Sequence, residues 1–315
     1  MRLRVTQLRW EAEQVVSVVL RSTTGDPLPP WEPGAHVPVT LPSGLVRQYS
    51  LCGDAEDPAG YTIAVFLVGD GRGGSREIHE RLRVGEVLEV GEPRNNFALT
   101  DAPRYLFLAG GIGITPVLAM IESLQRRAEP PPWRLIYGGR SRTAMAFLDR
   151  LGVLDSVEIV AQDEAGLPDL TGALADSAPG TAVYCCGPPA MLAAVQAACE
   201  LRPEVALHTE RFAAAGGEVA RPADGDGAFD VELARSGVTV TVTDDTTVLD
   251  AVLKVAPDTP FSCAAGFCGT CETKVLAGDV DHRDELLSDK ERQANATMMI
   301  CVSRSRDGGT LRLDL

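Results

Sequence analysis

The sequence has no uninterrupted apolar run approaching the roughly 20 residues that a helix needs to cross a bilayer. Its N-terminus alternates polar and apolar residues, as a strand does, and lacks the apolar core of a signal peptide. We therefore expect no membrane association and no export. Apolar residues make up 45% of the chain and charged residues 23%, which is the composition of a soluble globular protein.

The sequence also has few basic residues and few histidines. Its 29 Lys and Arg are outnumbered by 44 Asp and Glu, which gives a net charge of -15 at pH 7. Nucleic acid phosphates would be repelled by such a chain, whereas a partner protein with a basic docking face would be attracted. The acidity also serves solubility. The 4 histidines do not supply a Rieske or haem site, so we expect oxygen chemistry only in a different protein.

Four of the eight cysteines are spaced as ligands of an iron-sulfur cluster. Three follow the pattern C-x4-C-x2-C and the fourth comes later in the chain: Cys263, Cys268, Cys271 and Cys301. Four thiolates so placed can hold a 2Fe-2S cluster, and the glycines between them suit a loop that approaches it closely. Buried free thiols and zinc are the alternatives, but zinc usually takes its ligands in C-x2-C pairs.

The other four cysteines are too scattered to indicate a disulfide framework: Cys52, Cys185, Cys186 and Cys199. Proteins of a reducing compartment rarely contain disulfides. We therefore expect the protein to be cytoplasmic.

The segment around the cluster cysteines, residues 229–315, resembles a plant-type ferredoxin over its whole length. Its pattern predicts strands at 230–233 and 238–242 and a helix at 248–255. The cluster loop follows at 261–271, and a last strand is predicted at 311–315. The resemblance implies an α+β domain of the β-grasp type. Residues 213–228, which precede this segment, have little to bury and are predicted to be a linker.

Residues 1–101 consist of short alternating segments separated by Gly, Pro and Asp, which is typical of an antiparallel β-barrel. This region contains Arg47-Gln-Tyr49-Ser50 and, further on, a glycine-rich turn at 71–76 that opens a predicted helix at 75–82. A helix N-terminus presents free amides and a positive dipole end, which suits a phosphate. Each feature alone also fits a surface cation, a barrel side chain or a tight turn.

From residue 102 the pattern changes to alternating strands and helices. An apolar strand at 105–109 leads through a glycine turn to a helix at 116–127, where we expect Thr115 as N-cap and Pro116 as the first helical residue. Further predicted strands indicate a parallel α/β sheet, at 134–137, 157–161 and 182–186. A strand, glycine turn and helix form half of a dinucleotide site, although such turns also serve packing alone.

In this order, Arg-x-Tyr-Ser, Gly-Gly-Ser, Gly-Gly-Ile-Gly-Ile-Thr-Pro and Tyr-x-Cys-Gly-Pro resemble the ferredoxin-NADP reductase superfamily. The resemblance implies that Arg47 and Ser50 contact a flavin and that Tyr49 packs against its isoalloxazine ring. It also implies that the flavin phosphate meets the first glycine loop, at Gly73, Gly74 and Ser75.

For the nucleotide domain, the same resemblance implies that Cys186 faces the nicotinamide and that Thr115 and Pro116 lie near the nicotinamide or the flavin. It makes Cys186, Thr115 and Ser50 the expected catalytic residues. The two glycine turns are expected to bind the dinucleotide: Gly110, Gly111, Gly113, Gly187 and Pro188. Residues 210–212 are expected to mark the end of this domain.

With its C-terminal ferredoxin segment, the full chain resembles the phthalate dioxygenase reductase family, which includes the vanillate demethylase reductases. The resemblance implies a multidomain protein with four segments: an FMN-binding barrel at 1–101, an NAD(P)H-binding domain at 102–212, the linker at 213–228 and the ferredoxin domain at 229–315. A nicotinamide gives up two electrons as a hydride and the cluster accepts one at a time, so a flavin is needed between them. We expect the reductase component of an oxygenase system.

In that system electrons would pass from NADH through FMN and the 2Fe-2S cluster to a terminal oxygenase of the Rieske type, and the reductase would be a monomer. The sequence has no obvious extra segment after residue 76 that could bind an adenosine, which favours FMN over FAD. Arg140 and Arg142 could lie near the adenosine ribose and bind a 2′-phosphate, so NADPH remains an alternative electron donor. Two alternative functions remain: a reductase that serves a cytochrome P450, and a non-catalytic redox sensor.

Overall fold

The computed structural model describes residues 1–69, 73–212, 226–284 and 286–315. The chain divides into two compact units, Met1–Phe212 and Ala213–Leu315. Every helix within the described ranges is too short or too polar to span a bilayer. Two sequence predictions lie partly outside these ranges: residues 213–225 of the predicted linker and residues 71–72 of the first glycine turn.

The first unit begins with six antiparallel strands and one helix: β1 Arg2–Ala12, β2 Val15–Ser22, β3 His36–Thr40, β4 Val46–Ser50, β5 Gly60–Phe66, α1 Gly74–Glu80 and β6 Val87–Val90. The strand order is β4-β3-β6-β1-β2-β5, and a bridge between Leu51 and Ile63 joins the two ends of that order. Side chains alternate along each strand, so every second side chain points into the barrel. Val37 and Val39 on β3 are such residues, and both are 0% exposed. The predicted antiparallel barrel is confirmed.

The rest of this unit is a parallel sheet with helices: β7 Arg104–Gly110, α2 Ile114–Gln125, β8 Trp133–Gly139, α3 Leu148–Leu151, β9 Val157–Ala161, α4 Gln162–Ala165, α5 Leu170–Ala175, β10 Thr181–Cys186, α6 Pro189–Glu200 and β11 Ala206–Glu210. The order is β11-β10-β7-β8-β9, and each neighbouring pair is parallel. The strand β10 is buried along its whole length, as expected where both faces are covered. The predicted α/β sheet is confirmed.

Helix α2 begins earlier than the sequence pattern predicted. A 3-10 turn at Gly111–Gly113 leads directly into α2, so Gly113 is the N-cap and the N-cap prediction for Thr115 is wrong. The Thr115 hydroxyl instead donates to the Ile112 carbonyl at 2.9 Å, inside the turn. Pro116 is tolerated at the third helical position because the N–H groups of the first turn have no intrahelical partner.

A buried aromatic cluster connects the segment that leaves the barrel to the parallel sheet. The ring of Tyr184, on β10, meets Phe97 edge-on at 5.3 Å and stacks on His208 at 4.5 Å, measured between ring centroids. Its hydroxyl accepts a hydrogen bond from the Thr100 amide at 2.8 Å and donates to the Ala98 carbonyl at 2.9 Å. These contacts hold β10 against residues 97–100.

The second unit is a mixed sheet with short helices: β12 Phe229–Leu233, β13 Val238–Val242, α7 Val248–Leu253, β14 Glu272–Ala277, β15 Val280–Asp281, α8 Asp289–Ala294, β16 Thr297–Met299, β17 Arg304–Ser305 and β18 Leu311–Leu313. The main sheet has the order β13-β12-β18-β14-β16, in which β12 and β18 are parallel. A capping box of Thr247 and Asp250 starts α7. The predicted α+β class is confirmed.

Candidate redox site

The carboxyl ends of β7 and β10 meet at the centre of the parallel sheet. From β7 the chain continues to β8 and β9 on one side, and β10 and β11 lie on the other side. The strand order therefore reverses between β7 and β10, and such a reversal opens a ligand-binding crevice at the carboxyl ends of the strands. Both predicted dinucleotide turns lie here, because residues 110–113 follow β7 and residues 187–188 follow β10.

The two glycine turns pack against each other at this crevice. A Cβ at Gly113 would collide with the Cys186 carbonyl oxygen, and one at Gly110 would lie 2.5 Å from Cδ of Pro188. The backbone of Gly113 is helical, with φ of -62°. Glycine is therefore needed at this position for close approach and not for an unusual conformation. The close approach leaves the amides at the start of α2 beside the crevice, where a pyrophosphate would bind favourably.

Cys186 lies at the end of β10 and is fully buried. It pairs in register with Glu210 at the end of β11, and its Sγ lies 4.0 Å from Oε2 of Glu210. Burial, followed by the neighbouring Glu210 carboxyl, raises the pKa of the Cys186 thiol well above its ordinary value. The site therefore contains a neutral thiol at pH 7. The adjacent Cys185 belongs to the core on the other face of the sheet.

Glu210 is a site residue that the sequence analysis missed. Burial raises the pKa of its carboxyl to about 8, and the Ser50 hydroxyl opposes this rise. Ser50 is 5% exposed, and its Oγ makes no hydrogen bond of normal geometry within the described ranges. Ser50, Cys186 and Glu210 thus come together from the barrel and from two strands of the sheet. A neutral carboxyl can donate a hydrogen bond or a proton, which neither a thiol nor a serine does as readily.

The remaining expected catalytic residue, Thr115, is 2% exposed, and its hydroxyl is occupied by the Ile112 carbonyl. It contributes to the shape of the turn between β7 and α2. Pro116 is buried in the first turn of α2. Both residues therefore lie at the crevice, but the Thr115 hydroxyl is less available to a ligand than the sequence suggested.

Arg47 and Tyr49 lie on β4, next to the start of α1. The Arg47 side chain passes over Gly74, where a Cβ would lie 2.8 Å from Cγ and Nε of Arg47. Burial raises the pKa of the Tyr49 phenol, which is therefore neutral. The structure thus brings the Arg47 guanidinium to the N-terminus of a helix, an arrangement that suits the phosphate of a flavin.

The described part of the first glycine turn also lies beside β5. Gly73 is the N-cap of α1 and has a φ of 87°, in the left-handed region that favours glycine. The Ser75 hydroxyl accepts a hydrogen bond from the Val68 amide at 3.0 Å, which holds the start of α1 close to the end of β5. The helix begins one residue before the predicted Ser75 and ends at Glu80.

In the second unit, the four predicted cluster cysteines come together. Thiol contacts join Cys263 to Cys268 and to Cys301, and they also join Cys271 to Cys301. Cys268, Cys271 and Cys301 are 8%, 4% and 1% exposed. Four adjacent sulfurs in a largely buried loop fit the ligand set of a 2Fe-2S cluster.

The backbone of the cysteine loop also fits a negatively charged cluster. The Sγ of Cys263 accepts from the Ala265 amide at 3.3 Å, and the Sγ of Cys268 accepts from the Cys263 amide at 3.4 Å. Gly266 has a φ of 79°, and a Cβ there would lie 2.8 Å from Cγ2 of Val302. Glycine is thus required for both conformation and space, and the amides that it helps to orient stabilise charge on the sulfurs.

The two arginines considered for NADPH differ in their surroundings. Nε of Arg142 lies 2.9 Å from a Glu164 carboxylate oxygen, so Arg142 is already paired. The exposed Arg140 side chain has no hydrogen bond or ion pair within the described ranges. None of the eight cysteines, all of which lie in the described ranges, forms a disulfide.

Two segments of the chain match known domain families. Residues 107–197 match the oxidoreductase NAD-binding domain, and residues 231–306 match the 2Fe-2S iron-sulfur cluster binding domain. Together with the barrel and its buried Ser50, these segments define the class of protein. It is a modular iron-sulfur oxidoreductase that draws electrons from a pyridine nucleotide.

Relatives that match over nearly their whole length show to which family within this class the chain belongs. The chain is 44% identical to phenoxybenzoate dioxygenase subunit beta of Ectopseudomonas oleovorans, over 99% of this chain and 97% of that protein. It matches the solved structure of phthalate dioxygenase reductase with a TM-score of 0.73 and 34% identity, covering 100% of this chain and 98% of that one. The chain belongs to the phthalate dioxygenase reductase family. It is an NADH-dependent oxidoreductase with FMN and a 2Fe-2S cluster, and it is a reductase component of a multicomponent oxygenase.

A larger protein contains a similar region. An intact type IV self-sufficient cytochrome P450 monooxygenase matches with a TM-score of 0.85 and 44% identity over 100% of this chain. The chain spans only 41% of the length of that P450. The likeness therefore concerns one region of a longer polypeptide.

Proposed function

We propose that the terminal acceptor of this reductase is a Rieske-type oxygenase. The observation that carries the proposal is similarity over the full length to the phenoxybenzoate dioxygenase and phthalate dioxygenase proteins. The net charge of -15 supports docking to a basic face of a separate partner, since opposite charges steer association. The protein itself would work as a monomer in the cytoplasm, where its free cysteines stay reduced.

A second candidate acceptor is a cytochrome P450. The specific observation in its favour is the TM-score of 0.85 to a region of a P450 monooxygenase. In that case the reductase would be a separate chain that serves a separate haem protein. The two candidates differ only in the acceptor, because the path from NADH to the cluster is the same.

For the first unit, we assign hydride transfer to the crevice at the carboxyl ends of β7 and β10. Cys186 and Thr115 would face the nicotinamide, and Ser50 would contact the flavin. The dinucleotide would bind at the two turns: Gly110, Gly111, Gly113, Pro116, Gly187 and Pro188. The flavin would bind beside β4 and α1, at Arg47, Tyr49, Gly73, Gly74 and Ser75. The burial of Cys186 and the crevice at the strand reversal support this assignment.

For the second unit, we assign the cluster ligands to the cysteines that come together there: Cys263, Cys268, Cys271 and Cys301. FMN supplies the conversion between a hydride and single electrons. The functional divisions would be 1–101 for flavin, 102–212 for nucleotide, 213–228 for the linker and 229–315 for the cluster.

The experiment that tests the acceptor is a reconstitution. The purified protein with NADH is mixed with a purified Rieske-type oxygenase or with a purified cytochrome P450, and substrate-dependent NADH oxidation is measured. We expect coupled turnover with the oxygenase. Turnover with the P450 alone would select the second candidate. A protein that holds FMN and the cluster but reduces neither partner nor cytochrome c would point to the non-catalytic redox sensor.

A further inference from the structure

The barrel contains a buried histidine with no hydrogen-bond partner for its ring. His36 is 6% exposed, and neither Nδ1 nor Nε2 makes a hydrogen bond within the described ranges. Ser50, which is 5% exposed, has an Oγ that makes no hydrogen bond of normal geometry there and lies beside the Glu210 carboxyl. Buried polar groups in folded proteins are almost always hydrogen-bonded, so two such groups in one wall require an explanation.

The strand register places these two residues directly opposite each other. His36 on β3 pairs with Ser50 on β4, and the adjacent pair is joined by a hydrogen bond from the Leu51 amide to the Ala35 carbonyl at 2.8 Å. Hydrogen-bonded and non-hydrogen-bonded pairs alternate in an antiparallel ladder, so His36 and Ser50 form a non-hydrogen-bonded pair. Their side chains lie on the same face of the sheet, with Cβ atoms about 5 Å apart.

The backbone of His36 is fixed on its other side as well. Its amide donates to the Arg94 carbonyl at 2.8 Å, and its carbonyl accepts from the Arg94 amide at 2.9 Å. The next residue, Val37, is fully buried in the barrel interior, so the alternation of the strand directs His36 to the opposite face. The imidazole and the hydroxyl therefore project from the same face of neighbouring strands, as directly opposite residues.

The charge state of the imidazole favours this pairing. Burial, followed by the Arg94 cation, lowers the pKa of His36 to about 4. A neutral imidazole has one N–H donor and one acceptor nitrogen, whereas a serine hydroxyl has one donor and two lone pairs. If the ring N–H of His36 donates to Oγ of Ser50, that oxygen acts as an acceptor toward the histidine. The hydroxyl proton of Ser50 is then free to donate in another direction.

We propose that His36 is a positioning residue whose ring N–H donates to the Ser50 hydroxyl and directs the serine proton toward the flavin. The proposal rests on the proposed function, in which Ser50 contacts the flavin. His36 itself would not touch the reacting atoms. A hydroxyl held as a donor at the flavin stabilises added negative charge, so its loss should lower the reduction potential.

The test is a double-mutant cycle with four forms of the full-length protein: wild type, His36→Leu, Ser50→Ala and the double variant. The flavin reduction potential is measured by spectroelectrochemistry without NADH, and the rate of flavin reduction by NADH is measured by stopped flow. We expect each single substitution to lower the potential and to slow reduction by up to ~10-fold, the scale of one hydrogen bond. The double variant should be no worse than Ser50→Ala, because both substitutions remove the same interaction.

Two further variants separate positioning from packing. His36→Asn retains an N–H donor and should recover part of the potential that His36→Leu loses. Ser17→Ala changes another buried serine of the barrel, one whose hydroxyl donates to Glu11, and should leave the flavin potential unchanged. Additive losses in the cycle, or equal potentials for His36→Leu and wild type, would overturn the proposal.

A second measurement needs no change at His36. The chain has 4 histidines, so ring nitrogens labelled with ¹⁵N can be assigned individually by NMR. We expect the His36 ring resonances to show a fixed neutral tautomer and to shift on Ser50→Ala; unchanged resonances would also contradict the proposal. If Ser50→Ala itself leaves the flavin potential and reduction rate unchanged, the assignment of Ser50 to the flavin site fails. If Ser50→Ala has an effect and His36→Leu has none, only the role of His36 fails.

Discussion

Replacing Glu210 with glutamine should make the first unit more stable, and the gain should grow with pH. The folded state favours the protonated carboxyl, because burial raises the pKa of Glu210 to about 8 from the ordinary 4.5. Between these two values the folded protein binds more protons than the unfolded chain, so this residue reduces stability progressively as pH rises. Glutamine is nearly isosteric and cannot ionise, so the variant lacks that loss.

The size of the effect follows from the shift. One unit of pKa corresponds to about 1.4 kcal/mol, so the full shift from 4.5 to about 8 would amount to roughly 5 kcal/mol, reached progressively between about pH 5 and pH 8. Glu210 retains partial contact with solvent, so we expect a total gain of about 2 to 3 kcal/mol by pH 8. For a unit of this size, that corresponds to roughly 4 to 12 °C in Tm.

The assay is urea or thermal unfolding of the full-length protein, followed by tryptophan fluorescence at several pH values. All 3 tryptophans lie in the first unit, at Trp10, Trp31 and Trp133, so the signal does not include the second. Glu129→Gln, at an exposed position of the same unit, is the matched control and should give a difference that is independent of pH. A Glu210→Gln variant whose stability tracks that of wild type between pH 5.5 and 8.5 would refute the reasoning.

Two other substitutions test the crevice. In Gly113→Ala the new Cβ must push the turn after β7 away from the Cys186 carbonyl, so we expect a loss of about 1 to 3 kcal/mol and a higher KM for NADH. The control Gly69→Ala, where a Cβ would meet no atom of the described residues within 4 Å, should change neither. In Tyr184→Phe the Thr100 amide and Ala98 carbonyl lose their shared partner, so we expect the Tm of the first unit to fall by roughly 2 to 6 °C while the absorbance of the cluster is retained.

Sequence patterns predicted the elements best where a strand is bounded by turn residues and has a clear period. The strands β9 and β13 have the bounds that were predicted. The start of α2 was predicted wrongly, because the pattern Thr-Pro resembles an N-terminus even when a preceding 3-10 turn already carries the backbone into the helix. The end of α7, at Leu253, also came earlier than the apolar pattern indicated.

The site could be predicted only as far as local motifs reach. The four cysteines, the two glycine turns and Ser50 each belong to a short pattern, so the sequence alone identified them as candidates. The proximity of Glu210 to Cys186, and of His36 to Ser50, depends on which strands pair and in which register. In the sequence, residues 210–212 marked only the end of a domain and His36 belongs to no motif, so the role of neither residue could be recognised before the strand pairing was known.

We propose that electrons enter the protein at the first unit and leave it through the cysteine loop of the second. The most direct test is Cys268→Ala, which removes one ligand atom from the cluster and leaves the first unit unchanged. In a folded variant that retains FMN, the ratio of NADH-dependent cytochrome c reduction to ferricyanide reduction is measured against wild type. We expect cytochrome c reduction to fall to the level without enzyme while ferricyanide reduction stays close to that of wild type. Loss of both activities, or retention of cytochrome c reduction without the cluster, would contradict this order of carriers.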